Sequence, residues 1–193
     1  MTYAKPEQEL KLVISIGANI PSKFGDPVRT IAAMRPQIEK NISEWNVFFN
    51  HQKIEYKNHD KSLSFKWAPL FETDPLGGPS DQPNFINTIL VVTGENFSSI
   101  KPQEKAAINL MKRFLDLEKI AGRERNNTEI FWGPRSLDID LISWGGLQVN
   151  SETLILPHPR LSERSFVLIP LAEVLSKTQG KPRRLKSQNI WPE

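Results

Sequence analysis

The sequence predicts a small α+β sandwich, with helices packed on one face of an antiparallel or mixed sheet. Three segments carry that reading. Phe85–Thr93 and Leu137–Ile142 each alternate with a period of two. Between them, after Pro102, the residues Ala107, Leu110, Met111, Phe114, Leu115 and Glu118 recur at helical spacing. Strands and helices interleaved along one short chain fit layers of both kinds around a shared core.

The remaining elements follow in chain order. Leu12–Ile16 reads as a strand stopped by Gly17. Asp26 can cap the next helix, with Pro27 in its first turn, where a missing N–H costs nothing. Val28, Ile31 and Ala32 give that helix an apolar stripe, and Pro36 is expected to end or kink it near Arg35. Residues 41–66 read as an expanded segment, an extra hairpin or a long excursion. Asp74 to Pro83 is rich in proline and glycine and reads as an ordered or hinged loop. In the strand after it, Asn87 interrupts an apolar row, so its amide is satisfied by backbone or reads a polar ligand. Gly122 can supply the C-cap of the helix that follows Pro102.

Composition excludes several classes. A chain of 193 residues with 38% hydrophobic and 24% charged content suits one ordinary globular domain. No apolar run approaches the roughly 18 residues of a membrane span, and Met1–Leu10 carries Lys5, Glu7 and Glu9 rather than a signal-peptide core. The absence of cysteine removes disulfide and thiolate chemistry, so a cytoplasmic setting is expected. A net charge of +3 is too balanced for a nucleic-acid partner. The domain is expected over 11–175, after an N-terminal extension (1–10). A basic tail (176–193) contains Lys177, Lys181, Arg183, Arg184 and Lys186 and reads as solvated surface. His51 and His59 lack ligand-spaced partners and read as surface or packing residues.

The segment richest in chemistry is Leu137–Ile142. Leu137, Ile139 and Leu141 can enter the core, which turns Asp138 and Asp140 to the opposite face, about 6–7 Å apart. Two carboxylates so placed can hold hard cations together with phosphate oxygens; the bland alternative is a polar solvent face. Arg123 and Arg125 precede the pair, and Trp132-Gly133-Pro134-Arg135 leads into it. Arginine offers a planar fork of donors to phosphate. Arginines beside two aspartates point to phosphoryl transfer more than to a covalent enzyme intermediate. Several side chains stay open: Glu118 could pair with Arg123 or face the site, and Trp132 could cover the site or pack. His158, between prolines, could bond phosphates or be structural, and Phe166 could be core or stack on a flat heterocycle.

Seven ordered motifs then resemble the 6-hydroxymethyl-7,8-dihydropterin pyrophosphokinase family of folate biosynthesis. They are Ile16-Gly17-Ala18-Asn19, Thr73-Asp74-Pro75-Leu76-Gly77, Gln82-Pro83-Asn84-Phe85-Ile86-Asn87, and Glu118 with Gly122-Arg123-Glu124-Arg125. Trp132 to Asp140, Pro157-His158-Pro159-Arg160-Leu161 and Arg164-Ser165-Phe166 complete them. The resemblance implies a ferredoxin-like fold with a mainly antiparallel sheet. It implies ATP as co-substrate, two magnesium ions at Asp138 and Asp140, and AMP as the second product. Arg123 and Arg135 would act catalytically on phosphate oxygens, with Glu118, Arg125, Trp132, Ile139, His158 and Arg164 on the nucleotide side. The pterin would meet Thr73, Pro75, Leu76, Gly77, Phe85, Asn87 and Phe166. The loops 74–83 and 123–134 would close over both substrates.

This chain departs from the family pattern at Phe131, where an arginine is common, and in a longer loop over 126–130. The resemblance also implies a monomer or one domain of a folate-enzyme fusion. Two rival readings are a nonenzymatic nucleotide-binding domain and a magnesium-dependent phosphohydrolase. Products formed from ATP, magnesium and the pterin separate all three.

Overall fold

A computed structural model describes residues 11–50, 63–94, 102–123, 125, 132–159, 161 and 165–175. Its centre is β1 (Leu12–Ala18), which pairs antiparallel with β4 (Phe85–Thr93) on one side and β5 (Asp138–Trp144) on the other. β2 (Ser64–Trp67) and β3 (Phe71–Thr73) pair antiparallel with successive stretches of β4. With α1 (Pro27–Asn50) after β1 and α2 (Glu104–Ile120) before β5, this is the ferredoxin-like order, an antiparallel sheet with crossover helices. A short hairpin, β6 (Val149–Asn150) and β7 (Ile155–Leu156), then leads to α3 (Ser165–Leu175).

Local signals explain where these elements start and stop. Asp26 caps α1 as expected: its Oδ1 accepts the Arg29 N–H at 2.9 Å. Pro36, by contrast, neither ends nor breaks the helix, which continues to Asn50. Proline 36 removes the bond to the Ala32 carbonyl, but both residues lie on the exposed face, where water can take that carbonyl. The buried stripe is Ile31, Met34, Ile38, Ile42 and Trp45, while Val28 and Ala32 stay exposed. Residues 41–50 of the expected excursion at 41–66 are thus helix; 51–62 lies outside the described residues. β1 also runs through Gly17, because Gly17 pairs with Asn87 on one side and Asp138 on the other.

The side-chain period of the strands divides the protein into two cores. Leu12, Ile14, Ile16, Leu90, Val92, Ile139 and Leu141 face α1 and α2. Val13, Ile89, Val91 and Ile142 face the other way, against Val167, Leu171 and Val174 of α3. The helices therefore cover both faces, two on one and one on the other, and not a single face. α3 covers only part of its face. The uncovered remainder carries Ser15, Gly17, Asn87, Asp138 and Asp140. Opposite Val13 and Ile14 of β1 the register shifts, and the residue that β5 adds there returns Trp144 to the first core. Among the described residues no helix is long and apolar enough to cross a membrane.

Candidate active site

The register of the sheet brings the polar residues into rows. Gly17 pairs with both Asn87 and Asp138, and Ser15 pairs with Ile89 and Asp140. Gly17 is the floor between a carboxamide and a carboxylate. A Cβ there would lie 2.5 Å from Asn87 Oδ1, so only glycine leaves this floor flat. Asn87 is buried, and its Nδ2 donates to Thr73 Oγ1 at 2.8 Å. Its partner is thus a side chain, not the backbone, and this bond fixes which way the amide faces.

The end of α2 builds the charged half of the site. Gly122 has φ +89°, a left-handed conformation that suits glycine. Its N–H donates to the Lys119 carbonyl at 2.9 Å, and the Arg123 N–H donates to the Glu118 carbonyl at 3.0 Å. This pair of bonds is a Schellman ending, and it turns Arg123 back over Glu118. Arg123 Nη1 lies 3.1 Å from Glu118 and 2.5 Å from Asp138 Oδ1. Arg135 Nη1 donates to Asp138 Oδ2 at 2.6 Å.

Glu118 is buried, and of its two open alternatives the pairing is the one observed. It pairs with Arg123 and Arg125, and its Oε1 accepts the Ile139 N–H at 2.8 Å. That N–H points off the outer edge of the sheet, so Glu118 satisfies an edge donor while holding the arginines. Burial, reinforced by the Asp138 charge, raises the Glu118 carboxyl above its ordinary range. Asp138 moves the other way. Burial works to raise it, but the Arg135 and Arg123 guanidiniums outweigh that and lower it.

Two clefts meet at these groups. The first is lined by Thr73, Leu76, Gly77, Phe85, Asn87, Phe166 and Trp132, among others. The second lies against α2, lined by Ile108, Met111, Lys112, Leu115, Arg123, Arg125, Ile139 and Thr153. Arg135, Asp138 and Asp140 line both. A flat apolar-walled pocket with an amide at one end thus opens onto a cationic groove through two carboxylates.

A family model described as 7,8-dihydro-6-hydroxymethylpterin-pyrophosphokinase (HPPK) matches residues 13–176. The chain belongs to this family. An HPPK relative in Bacillus subtilis, a 2-amino-4-hydroxy-6-hydroxymethyldihydropteridine pyrophosphokinase, is 32% identical over 139 residues, covering 72% of this chain and 75% of its own. A pyrophosphokinase of the same description from Methylorubrum extorquens is 38% identical over 100 residues, 52% of this chain and 56% of its own. A folate synthesis bifunctional protein of Arabidopsis thaliana is 39% identical over 106 residues, covering 55% of this chain and 19% of the relative.

Within this HPPK chain most expected residues come together, with some differences. Trp132, expected beside the nucleotide, lines the first cleft, against Gly77. Pro75 belongs to the same loop but lies outside both linings, and Glu118 lies beneath the second. His158 is held by its N–H on the Ile142 carbonyl at 2.8 Å, with Nε2 3.9 Å from Asp140 Oδ2. Arg164, Phe131 and the loop 126–130 lie outside the described residues, as do residues 1–10, the basic tail, His51 and His59. Sequence reasoning missed the α2 wall. Helical spacing groups Met111 and Leu115 with Leu110 and Phe114 on one apolar face, and it cannot separate a buried stripe from a cleft wall beside it.

Asp138 and Asp140 also fit magnesium. Both present hard oxygen donors on one strand face, with side chains 21% and 29% exposed into the clefts. Among the described residues no group of three or more His, Asp or Glu could hold an ion unaided. Two carboxylates suit an ion whose other ligands are phosphate and water.

Proposed function

We propose that this chain transfers pyrophosphate from ATP to the hydroxymethyl group of 6-hydroxymethyl-7,8-dihydropterin, giving AMP and the pterin diphosphate in folate biosynthesis. The observation that carries this reading is the meeting of two chemically different clefts at Asp138, Asp140 and Arg135. The family match agrees with it.

In this mechanism the pterin lies in the first cleft between Phe85 and Phe166. The Asn87 carbonyl accepts from its ring N–H groups, and the Thr73 hydroxyl, already accepting from Asn87, has its own proton to donate. Pro75, Leu76, Gly77 and Trp132 form the covering side. ATP lies in the second cleft, its base against the apolar α2 wall and its phosphates running past Arg123, Arg125 and Arg135. Two magnesium ions, held by Asp138 and Asp140, would neutralise phosphate charge and fix the β-phosphorus in line. The pterin oxygen forms a bond to that phosphorus, the bond to the α,β-bridging oxygen breaks, and the hydroxyl proton leaves to solvent. Positioning and charge stabilisation carry the barrier reduction. Glu118 holds the arginines and His158 stands beside Asp140, while the nucleotide roles of His158 and Arg164 are those that the family resemblance implies.

The domain is taken as 11–175, acting in the cytoplasm as a monomer or as one part of a folate-enzyme fusion. Incubation with ATP, magnesium and the pterin tests the reading. Equal amounts of AMP and pterin diphosphate are expected, with magnesium required. ADP with a pterin monophosphate would refute it, and phosphate release without pterin modification would indicate a hydrolase.

A further inference from the structure

Two buried carboxamides near the first cleft have every polar atom committed to protein. Asn19 Nδ2 donates to Gln82 Oε1 at 3.1 Å and to the Pro83 carbonyl at 3.0 Å. Its Oδ1 accepts the Arg135 N–H at 2.7 Å. Gln82 Nε2 in turn donates to the carbonyls of Gly77 at 3.0 Å and Trp132 at 3.1 Å. Only a carboxamide can donate twice and accept once in this way, so these bonds also fix both orientations. The chain ends so joined are the exit of β1, the 74–83 loop and the turn entering β5.

We infer that Asn19 and Gln82 form a polar clasp that positions the covering wall of the pterin cleft. The wall is the Trp132 indole lying against the Gly77 backbone. The two are packed so closely that a Cβ on Gly77 would collide with the ring. Trp132 has φ +58°, an unfavourable conformation for a large side chain, so something must hold it. Gln82 does so by fastening the Trp132 carbonyl to the Gly77 carbonyl through one NH2 group. Asn19 anchors Gln82 to the sheet and, through the Arg135 backbone, to the strand that carries Asp138. Neither amide has a free atom for substrate, so both are positioning residues. A wall held by these bonds lowers the ordering cost of binding, which otherwise weakens affinity.

The inference rests on the proposed pterin assignment, and its test keeps the two separable. Gln82→Met preserves bulk but removes all three bonds; Gln82→Glu keeps the acceptor for Asn19 and loses both donors. In either variant pterin affinity, measured by titration beside a nonhydrolysable ATP analogue, should fall by about tenfold. Affinity for the magnesium–nucleotide complex should stay within about twofold of the parent. Amide exchange at Gly77–Gly78 and Trp132–Gly133 should quicken, and Asn19→Ala should add little pterin loss once Gln82 is already Met. Unchanged pterin affinity in folded Gln82→Met and Gln82→Glu, or equal losses for both ligands, would overturn the clasp. A parent that forms no pterin diphosphate would instead overturn the function itself.

Discussion

Asp138 and Asp140 owe their shared direction to nothing more than strand geometry. Their neighbours Leu137, Ile139 and Leu141 supply the buried row, so neither carboxylate is needed in the core. Asp138→Asn and Asp140→Asn should each lower turnover by about 10²-fold or more, at least about 2.7 kcal/mol of transition-state stabilisation. Each variant keeps the side-chain size but removes the charge that binds a hard cation. Steady-state rates and magnesium titrations on variants with parental circular dichroism check this. Gly17 answers to the opposite need, for no side chain at all. Gly17→Ala places a methyl against Asn87 Oδ1 and must turn that amide away from Thr73. Pterin affinity should drop by about tenfold, about 1.4 kcal/mol, while nucleotide affinity is kept; equilibrium titration of each ligand reads the difference.

Helix α1 tolerates Pro36 because the lost bond faces water, yet the loss still has a cost. Pro36→Ala restores an N–H donor to the Ala32 carbonyl and should raise unfolding free energy by about 1–3 kcal/mol, with relief of unfolded-chain restriction setting the lower end. Denaturant titration measures it, and an unchanged midpoint would mean that the helix is already relaxed around the proline. Helix α2 is different, since its last turn serves the site. Gly122 has open space around a would-be Cβ, so its requirement comes from φ alone. Gly122→Ala should therefore cost about 1 kcal/mol of stability. It should also lower turnover, because the same turn aims Arg123 at Glu118 and Asp138. Thermal melts and rates on one preparation separate the two effects.

Across the molecule, the cluster of Glu118, Arg123, Arg135 and Asp138 ties α2 to the edge of the sheet, and its pH response follows from two opposed shifts. Asp138 is lowered in the folded protein, so its ionised form stabilises the fold above the ordinary aspartate value of about 3.9. That contribution is lost as pH falls from there through the lowered folded value. Glu118 is raised, so its ionised form detracts from stability, and it recovers as pH falls from its folded value to its ordinary one. The stability margin of the parent over Asp138→Asn should be full near neutrality and shrink below about pH 4. Urea titrations of both proteins at several pH values test this; a margin that widens on acidification would contradict the lowered Asp138.

Strand alternation, the Asp26 cap, the Gly122 turn and the common face of Asp138 and Asp140 were all determined by the sequence alone. Each depends on bond geometry within a few residues, and that geometry leaves a local pattern. The family motifs added the pairing of a pterin side with a nucleotide side. Only the tertiary structure decided that Gly17 lies between Asn87 and Asp138, that Glu118 caps the edge at Ile139, and that Asn19 and Gln82 join segments 63 residues apart. It also decided that α1 passes through Pro36 and that Met111 and Leu115 line a cleft. These outcomes depend on strand register and on which faces meet. They are set by the packing of distant segments, for which no residue spacing along the chain provides a signal.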